Sequence, residues 1–328
     1  MKEKLLDFTF RYGALIVIAG VLLFFTTQSP YFMTYNNITD ILRSISIVTF
    51  VAIGVTFSLI VDGFDLSVGS TVSISTVVAA SLMVWYEQPL WIVLIVPVLV
   101  GLLIGFINAL LIVKIKIPDL LATLAVMYII NGIHKTFTEG YSIYDHMNRA
   151  DGTVSPGAFT ESFKWIGQGK WLGIPVPVLL MIVAVAVVHI FLKYTTLGRQ
   201  MYITGGNREA ARLSGIRVDR IRLLAYLLSG GFAGIAGILF AARVGTGQID
   251  AGAPLLMEAV AAVFVGFSVL GAGKPNVIGT FFGAVLIGVL LNGLTMLNLQ
   301  YFTFDIFKGA VLVFALAITF VHLNRKRV

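Results

Sequence analysis

The sequence predicts an all-α membrane protein, a polytopic helical bundle of about ten transmembrane helices. Two observations predict it. Hydrophobic residues make up 58% of the 328 residues, with a mean hydropathy of +0.94, and apolar runs of roughly 20 residues, the length of a spanning helix, recur along the chain. A soluble domain does not tolerate so apolar a surface. The runs also lack the alternation of an outer-membrane barrel, so a helical bundle follows.

The predicted spans are apolar windows bounded by glycine, proline or charged residues. They lie near 12–28, 41–61, 66–85, 90–113, 118–137, 175–194, 221–243, 254–272, 276–297 and 303–323. The first window follows "MKEK" and has the layout of a signal peptide. Because "FFTTQSP" carries no A-x-A-like cleavage site, we interpret this window as a retained span.

The positive charges predict the orientation of the bundle. Lys2, Lys4 and Arg11 precede the first span, and with these residues inside, alternating spans place most of the 23 lysines and arginines in the cytoplasm, "NRKR" at 324–327 included. Both termini are therefore expected to be cytoplasmic. The net charge of +7 is explained by this orientation and does not indicate nucleic acid.

Two long connections have opposite predicted locations. Residues 195–220 are expected in the cytoplasm, and residues 138–174 form an extracytoplasmic loop longer than ordinary connections. Trp165 and Trp171 predict that this loop is an ordered flap at the level of the lipid headgroups. The chain has no cysteine, which excludes disulfides, and its four histidines show no ligand spacing, so no metal site is expected.

The cytoplasmic stretch "TGGNREAARLSGIRVDRIR" at 204–222 predicts a short helix with recognisable ends. Asn207 is a good N-cap, Glu209 in the first turn is favoured by the helix dipole, and Gly215 suits a left-handed C-terminal cap. A helix of about seven residues is marginal in water, so this one is expected to rely on packing against the bundle or a partner.

The faces of this helix leave two interpretations open. Ala210 and Ala211 keep one side slim, Leu213 supplies an apolar knob, and Arg208 and Arg212 share a face, which suits insertion into a groove on another protein. Alternatively, the arginines only enforce the topology and contact anionic lipid.

Polar residues at bilayer depth are the candidates for a translocation path, because they are costly in hydrocarbon. They are Asp62, Asp65, Ser67, Asn108, Glu258 and Asn292. The stretch "DGFDLSVGS" at 62–70 predicts an interrupted helix that shapes a path, or a helix cap with Asp65 near the cytoplasmic surface. Glu258 is an interfacial anchor or a pore residue.

The two asparagines accompany small residues that let helices approach closely. They lie within "GLLIGFINALL" at 101–111 and "GAVLIGVLLNGL" at 283–294, and the small residues of these stretches indicate either close helix packing or a duplicated architecture. Our first interpretation is that both amides clamp two helices together, and the alternative is that they contact the substrate. Asp305 and Lys308, three residues apart, predict an ion pair.

Several of these stretches also resemble one family. "EAARLSG" after "GGN" is similar to the cytoplasmic coupling segment of ABC importer permeases of the ribose and monosaccharide class. "DGFDLSVGS", "LGIPVPV", "MEAVAAVFVG" and "VIGTFFGAVLIGVLLNGL" resemble other motifs of that family in the same order. The resemblance runs nearly end to end and implies a single transmembrane permease domain over 1–328, in the bacterial plasma (inner) membrane.

The resemblance also implies the partners and the task. A separate cytoplasmic ATPase with two nucleotide-binding halves would hold ATP and magnesium and grip residues 207–213 and Gly215. The importer would also contain an extracytoplasmic sugar-binding protein and a second permease subunit, identical or related. Its cargo would be a monosaccharide or small polyol, and a ribose-like pentose is the preferred candidate. The chain itself is not expected to be an enzyme or to bind a cofactor: "SVLGAGKP" at 268–275 fails as a phosphate loop. An ion-coupled secondary transporter of a small polar solute is the alternative.

Overall fold

The structure, a computed structural model, describes residues 2–148, 152–268 and 274–325. The end of the basic tail, the centre of the "SVLGAGKP" turn and three residues of the outer loop lie outside these ranges. The described chain is almost entirely helical. Its helices are α1 (Lys2–Gln28), α2 (Tyr35–Ile60), α3 (Val68–Val84), α4 (Leu90–Ala109), α5 (Asp119–Phe137), α6 (Glu161–Gln168), α7 (Val176–Tyr194), α8 (Thr196–Gly206), α9 (Arg208–Leu213), α10 (Val218–Val244), α11 (Gly252–Ser268), α12 (Val277–Met296) and α13 (Phe304–Arg325).

Every predicted apolar window coincides with a helix, namely α1 to α5, α7 and α10 to α13, except that the last four residues of the window 254–272 lie outside the described residues. Within the described residues, six helices are long and apolar enough to cross a membrane, namely α2, α4 with its π-helical extension to Lys114, α5, α7, α10 and α12. Shorter apolar helices occupy Leu15–Gln28, Val68–Val84 and Gly252–Phe267. The structure thus confirms a helical membrane bundle, and the number of ten spans stays a prediction.

Helix α10 lies at the centre of the bundle and packs against α4, α2 and α3. Gly101 and Gly105 of α4 face the backbone of Gly230 and Tyr226 on α10, so closely that a Cβ on either glycine would meet a carbonyl oxygen of α10. In the same way, Gly283 of α12 faces the backbone of α11. The small residues of both sequence motifs therefore bring helix backbones into contact, as predicted.

The predicted interruption near Asp62 is also present. Helix α2 ends at Ile60 and α3 begins at Val68, and residues 61–67 between them, which we call the interrupted segment, have irregular backbone. Asp62 adopts a left-handed φ of 56°. Thr123 of α5 holds the segment by accepting from the Leu66 N–H at 3.2 Å and donating to the Phe64 carbonyl at 3.1 Å.

The outer loop is ordered where it is described. It contains α6, capped by Thr160, and a small antiparallel hairpin of β1 (Lys170–Trp171) and β2 (Ile174–Pro175), in which Lys170 pairs with Pro175. Phe163 of α6 is fully buried, whereas Trp165 and Trp171 are exposed. The prediction of an ordered flap is confirmed, and its position at the headgroups stays a prediction.

Candidate functional site

Helix α9 has the ends that its sequence predicts. The Asn207 side chain accepts a hydrogen bond from the Ala210 N–H at 3.0 Å, and Gly215 adopts a φ of 79°, the left-handed conformation that glycine adopts without strain. The helix spans six residues, one fewer than expected. Its geometry is therefore fixed by its own capping residues and by what it touches.

The side chains of α9 divide into an attached side and a free side. Ala211 is fully buried, while Glu209, Ala210 and Arg212 are exposed and Leu213 is the most exposed large apolar residue described, at 89%. The free side therefore presents the apolar side chain of Leu213 next to the charged side chains of Glu209 and Arg212. It is the surface that a protein groove would cover.

The two arginines of α9 have different partners. The Arg208 guanidinium donates to the Asp62 carbonyl at 2.6 Å and lies 3.3 Å from the Asp62 carboxylate. Arg212 lies 3.5 Å from Glu209 and 3.7 Å from Asp219 in the first turn of α10. Helix α9 is thus tied to the interrupted segment on one side and to the start of α10 on the other.

Asp65 lies in a buried polar cluster. Only 1% of it is exposed, and its carboxylate accepts from the Ser67 N–H at 3.0 Å, the Ser67 hydroxyl at 2.7 Å and the Ser229 hydroxyl at 2.8 Å. The Asn108 amide donates to the Ser67 hydroxyl at 2.7 Å. Of the two interpretations of Asp65, the structure does not support the helix cap, because the N-cap of α3 is Ser67 and Asp65 instead joins the interrupted segment to α10.

A second polar cluster nearby was missed at the sequence level. Arg222 of α10 donates to both carboxylate oxygens of Asp119, at the start of α5, at 2.6 Å, and the Tyr226 hydroxyl donates to the same carboxylate at 2.5 Å. The sequence did contain a signal for this cluster, because Asp119 and Arg222 are opposite charges just inside two predicted spans, where a charge needs a partner. The sequence does not indicate that they meet, since 103 residues separate them.

A cleft of about 610 Å³ opens beside this cluster at the end of the bundle that carries α9. Its lining includes Asp62, Gly63, Asp119, Tyr202 and Lys274. The Tyr202 hydroxyl donates to the Pro275 carbonyl at 3.0 Å, and burial raises the pKa of Tyr202 to about 12. Tyr202 therefore stays a neutral hydrogen-bond donor at ordinary pH.

The two remaining candidates are paired with other helices of the bundle. Asn292 of α12 and Asn37 in the first turn of α2 exchange two amide hydrogen bonds, at 3.0 and 2.8 Å. Glu258 of α11 lies 3.2 Å from the ammonium group of Lys308 on α13. The six candidate path residues therefore do not form one site: Asp65, Ser67 and Asn108 meet, Asp62 contacts α9, and the other two each bind a different helix.

Comparison with known proteins agrees with these motifs. Residues 37–316 match the family described as the permease component of the branched-chain amino acid transport system. The chain is 36% identical to the ribose import permease protein RbsC of Haemophilus influenzae, over 92% of this chain and 90% of that one, and 34% identical to RbsC of Escherichia coli, over 93% and 91%. It is 30% identical to the D-allose transport system permease protein AlsC of Escherichia coli, over 94% and 91%.

No solved structure gives a significant match to the chain. The family match and the apolar helices together make it a multi-pass protein of the bacterial plasma membrane. It therefore belongs to the permease-component family of the branched-chain amino acid transport type, and within it to the ribose-type permeases of ABC importers.

Proposed function

We propose that the chain is the membrane subunit of an ABC importer for a monosaccharide, and that the preferred candidate for this sugar is a ribose-like pentose. The names of its relatives support a sugar as the cargo, because ribose, allose and xylose permeases all align over most of the chain. The single observation that carries the coupling half of the proposal is α9, whose exposed Leu213 stands on a helix tied to the interrupted segment through Arg208.

A separate ATPase supplies the energy in this proposal. Its two nucleotide-binding halves hold ATP and magnesium, and each half grips one α9 from a pair of permease subunits, identical or related, that enclose the path. Leu213 fills an apolar pocket and Glu209, exposed in the first turn, contacts its rim. A six-residue helix that is preorganised by Asn207 and Gly215 loses little conformational freedom on binding.

The outer flap is the docking surface for an extracytoplasmic sugar-binding protein. The flap is ordered and connects to the bundle: the Tyr35 hydroxyl donates to the Gly173 carbonyl at 2.8 Å, and Gln168 donates to the Arg243 carbonyl at 2.9 Å. A docked protein therefore meets a surface joined to α2 and α10, the helices that run to the α9 end of the bundle.

The six candidate path residues have four different roles. Asn292 is a clamp, because its reciprocal bonds with Asn37 use both ends of the amide. Glu258 is an anchor for α13 through Lys308. Asp65, Ser67 and Asn108 shape the inner part of the path by fixing the interrupted segment, and Asp62 connects that segment to α9.

Uptake of radiolabelled ribose into proteoliposomes tests the function. The vesicles contain the permease and its ATPase, with the binding protein outside, and are compared with internal ATP, without it, and with a proton or sodium gradient alone. We expect uptake only with ATP and binding protein. Gradient-driven uptake without the ATPase would establish the alternative, a secondary transporter.

Site variants then test α9 itself. Glu209→Arg and Gly215→Leu are expected to abolish uptake and ATPase binding while membrane insertion is retained. Glu161→Arg is the matched control for ATPase binding, since Glu161 is also exposed in the first turn of a short helix, in the flap. Because the chain has no cysteine, Ala210→Cys provides a unique cross-linking site. Normal transport by the Glu209 or Gly215 variant would exclude α9 as the coupling element.

A further inference from the structure

Helix α10 carries a buried line of polar side chains at its α9 end. Arg222, Tyr226 and Ser229 occupy positions i, i+4 and i+7, so they lie on one face, and all three are buried. Their acceptors come from two other elements: Asp119 begins α5, and Asp65 belongs to the interrupted segment. Polar groups buried at this depth persist only when they are paired. The line therefore fixes α5 and the interrupted segment against α10.

The Asp119 carboxylate is the centre of this arrangement. Both of its oxygens accept hydrogen bonds from Arg222 at 2.6 Å, and one of them also accepts from the Tyr226 hydroxyl at 2.5 Å. The side chains of Asp119 and Arg222 are only 17% and 10% exposed. Such a pair is strong while water is excluded and weak once water reaches it. Its strength therefore depends on what covers it.

Gly63 is the cover. A Cβ built on Gly63 would meet the Tyr226 hydroxyl and the Asp119 carboxylate, so a side chain at this position would have to displace these two hydrogen-bonded groups. The cleft at the α9 end is lined by Gly63 and Asp119 together. Asp119 itself borders the cleft, whereas Arg222 and Tyr226 do not line it, so a shift of Gly63 would admit water of the cleft to their bonds with Asp119.

Asp62, the neighbour of Gly63, is held by α9. Arg208 donates to the Asp62 carbonyl at 2.6 Å and lies 3.3 Å from its carboxylate. Asp62 has a φ of 56°, a left-handed conformation that is uncommon outside glycine, although aspartate adopts it more readily than most residues. The first residue of α9 and the Asp119–Arg222 pair are thus connected through two consecutive residues.

We propose that Asp119, Arg222 and Tyr226 form an inner latch, and that Arg208, through Asp62 and Gly63, is the positioning residue by which α9 keeps that latch covered or uncovers it. In the present state the latch holds α5 against α10. Displacement of α9 moves Gly63, admits water to the ion pair and frees the start of α5. That an ATPase displaces α9 rests on the proposed function, whereas the connection from Arg208 to the latch does not.

Amide hydrogen exchange of the permease alone, in lipid nanodiscs, tests the connection. Arg208→Gln is expected to speed exchange in residues 61–67 and at the start of α5 by about tenfold, because the cover loses its tether. Arg217→Gln is the matched control, an exposed arginine in the same loop, and should leave both segments unchanged. Equal exchange in the Arg208 variant and the unmodified chain would overturn the proposal.

A double variant tests whether the tether acts through the latch. Asp119→Asn alone should speed exchange at the start of α5, and adding Arg208→Gln should then have little further effect there, because the latch is already open. Independent, multiplying effects of the two substitutions would also overturn the proposal. This arm needs neither ATPase nor sugar.

The assembled importer separates this inference from the proposed function. Ala210→Cys and Leu213→Cys chains, with Arg208 unchanged, test cross-linking to the ATPase, while Arg208→Gln in the assembled importer should lower ribose uptake per ATP hydrolysed by about tenfold. Uptake per ATP that equals the parent value would refute the latch. Failure of both chains to cross-link would refute the role of α9 as ATPase contact, and the exchange experiments would still decide on the latch.

Discussion

Lys308 on α13 offers the sharpest test of the packing described above, because one lysine has two carboxylate partners of unequal burial. Its ammonium group lies 3.2 Å from Glu258 on α11 and 3.5 Å from Asp305 one turn earlier on its own helix. The side chains of Lys308 and Glu258 are 13% and 14% exposed, whereas that of Asp305 is 84% exposed. The two distances are too similar to show which ion pair contributes more to stability, but the difference in burial does show it.

The expected magnitudes follow from that burial. Lys308→Met leaves Glu258 largely buried and unpaired, and removing one member of a buried ion pair destabilises a protein by about 3–5 kcal/mol. Asp305→Asn removes only an exposed i,i+3 partner, and such pairs contribute about 0–1 kcal/mol. The double variant Lys308→Met/Glu258→Gln has no buried charge left at this position, so it should recover most of the loss.

Thermal unfolding in lipid nanodiscs measures the difference, with all variants heated at one scan rate. At about 2 °C per kcal/mol, the smaller shift expected for a long chain, Lys308→Met should lower Tm by roughly 6–10 °C and Asp305→Asn by less than about 2 °C. If Asp305→Asn destabilised the protein as much as Lys308→Met, or if the double variant recovered nothing, the burial argument would be wrong.

Three further experiments test the fold and α9. Gly101→Val places a side chain against the α10 backbone and should destabilise the bundle by about 1–3 kcal/mol in the same Tm assay, while Gly132→Val, at a helical glycine with nothing within 4 Å, should not. Asn207→Ala removes the cap of α9, and about 1 kcal/mol of lost helix stability should be visible as faster amide exchange there; unchanged exchange would rule out the cap. Asn37→Leu and Asn292→Leu should be less than additive, with a coupling of about 0.6 and at most about 1.7 kcal/mol in a double-mutant cycle; a coupling of zero would contradict the reciprocal amide pair.

The local chemistry of α9 illustrates what can be predicted from a sequence. Asn207 as N-cap and Gly215 as left-handed cap follow from backbone groups that each residue can satisfy or conformations that it can adopt by itself. The same holds for the ten helical windows, whose length and apolar character are properties of contiguous residues.

Asp65 shows where such reasoning stops. Its sequence neighbours fitted a path-shaping residue and a cap near the surface equally well, and the structure places it in a buried cluster with Asn108 and Ser229. Hydrogen bonds to residues 43 and 164 positions away depend on how α4 and α10 pack, which no local pattern specifies.

The sequence by itself therefore determined the class of protein, its helices, the caps of α9 and its family, because hydropathy, capping and motifs depend on residues that are close together in the chain. Only the tertiary structure decided the pairings: Asp119 with Arg222, Glu258 with Lys308, and Arg208 with Asp62. The physical reason is that a charge buried in a membrane bundle must find its partner in space, and the close helix crossings made possible by glycine determine which distant residue is near enough to serve.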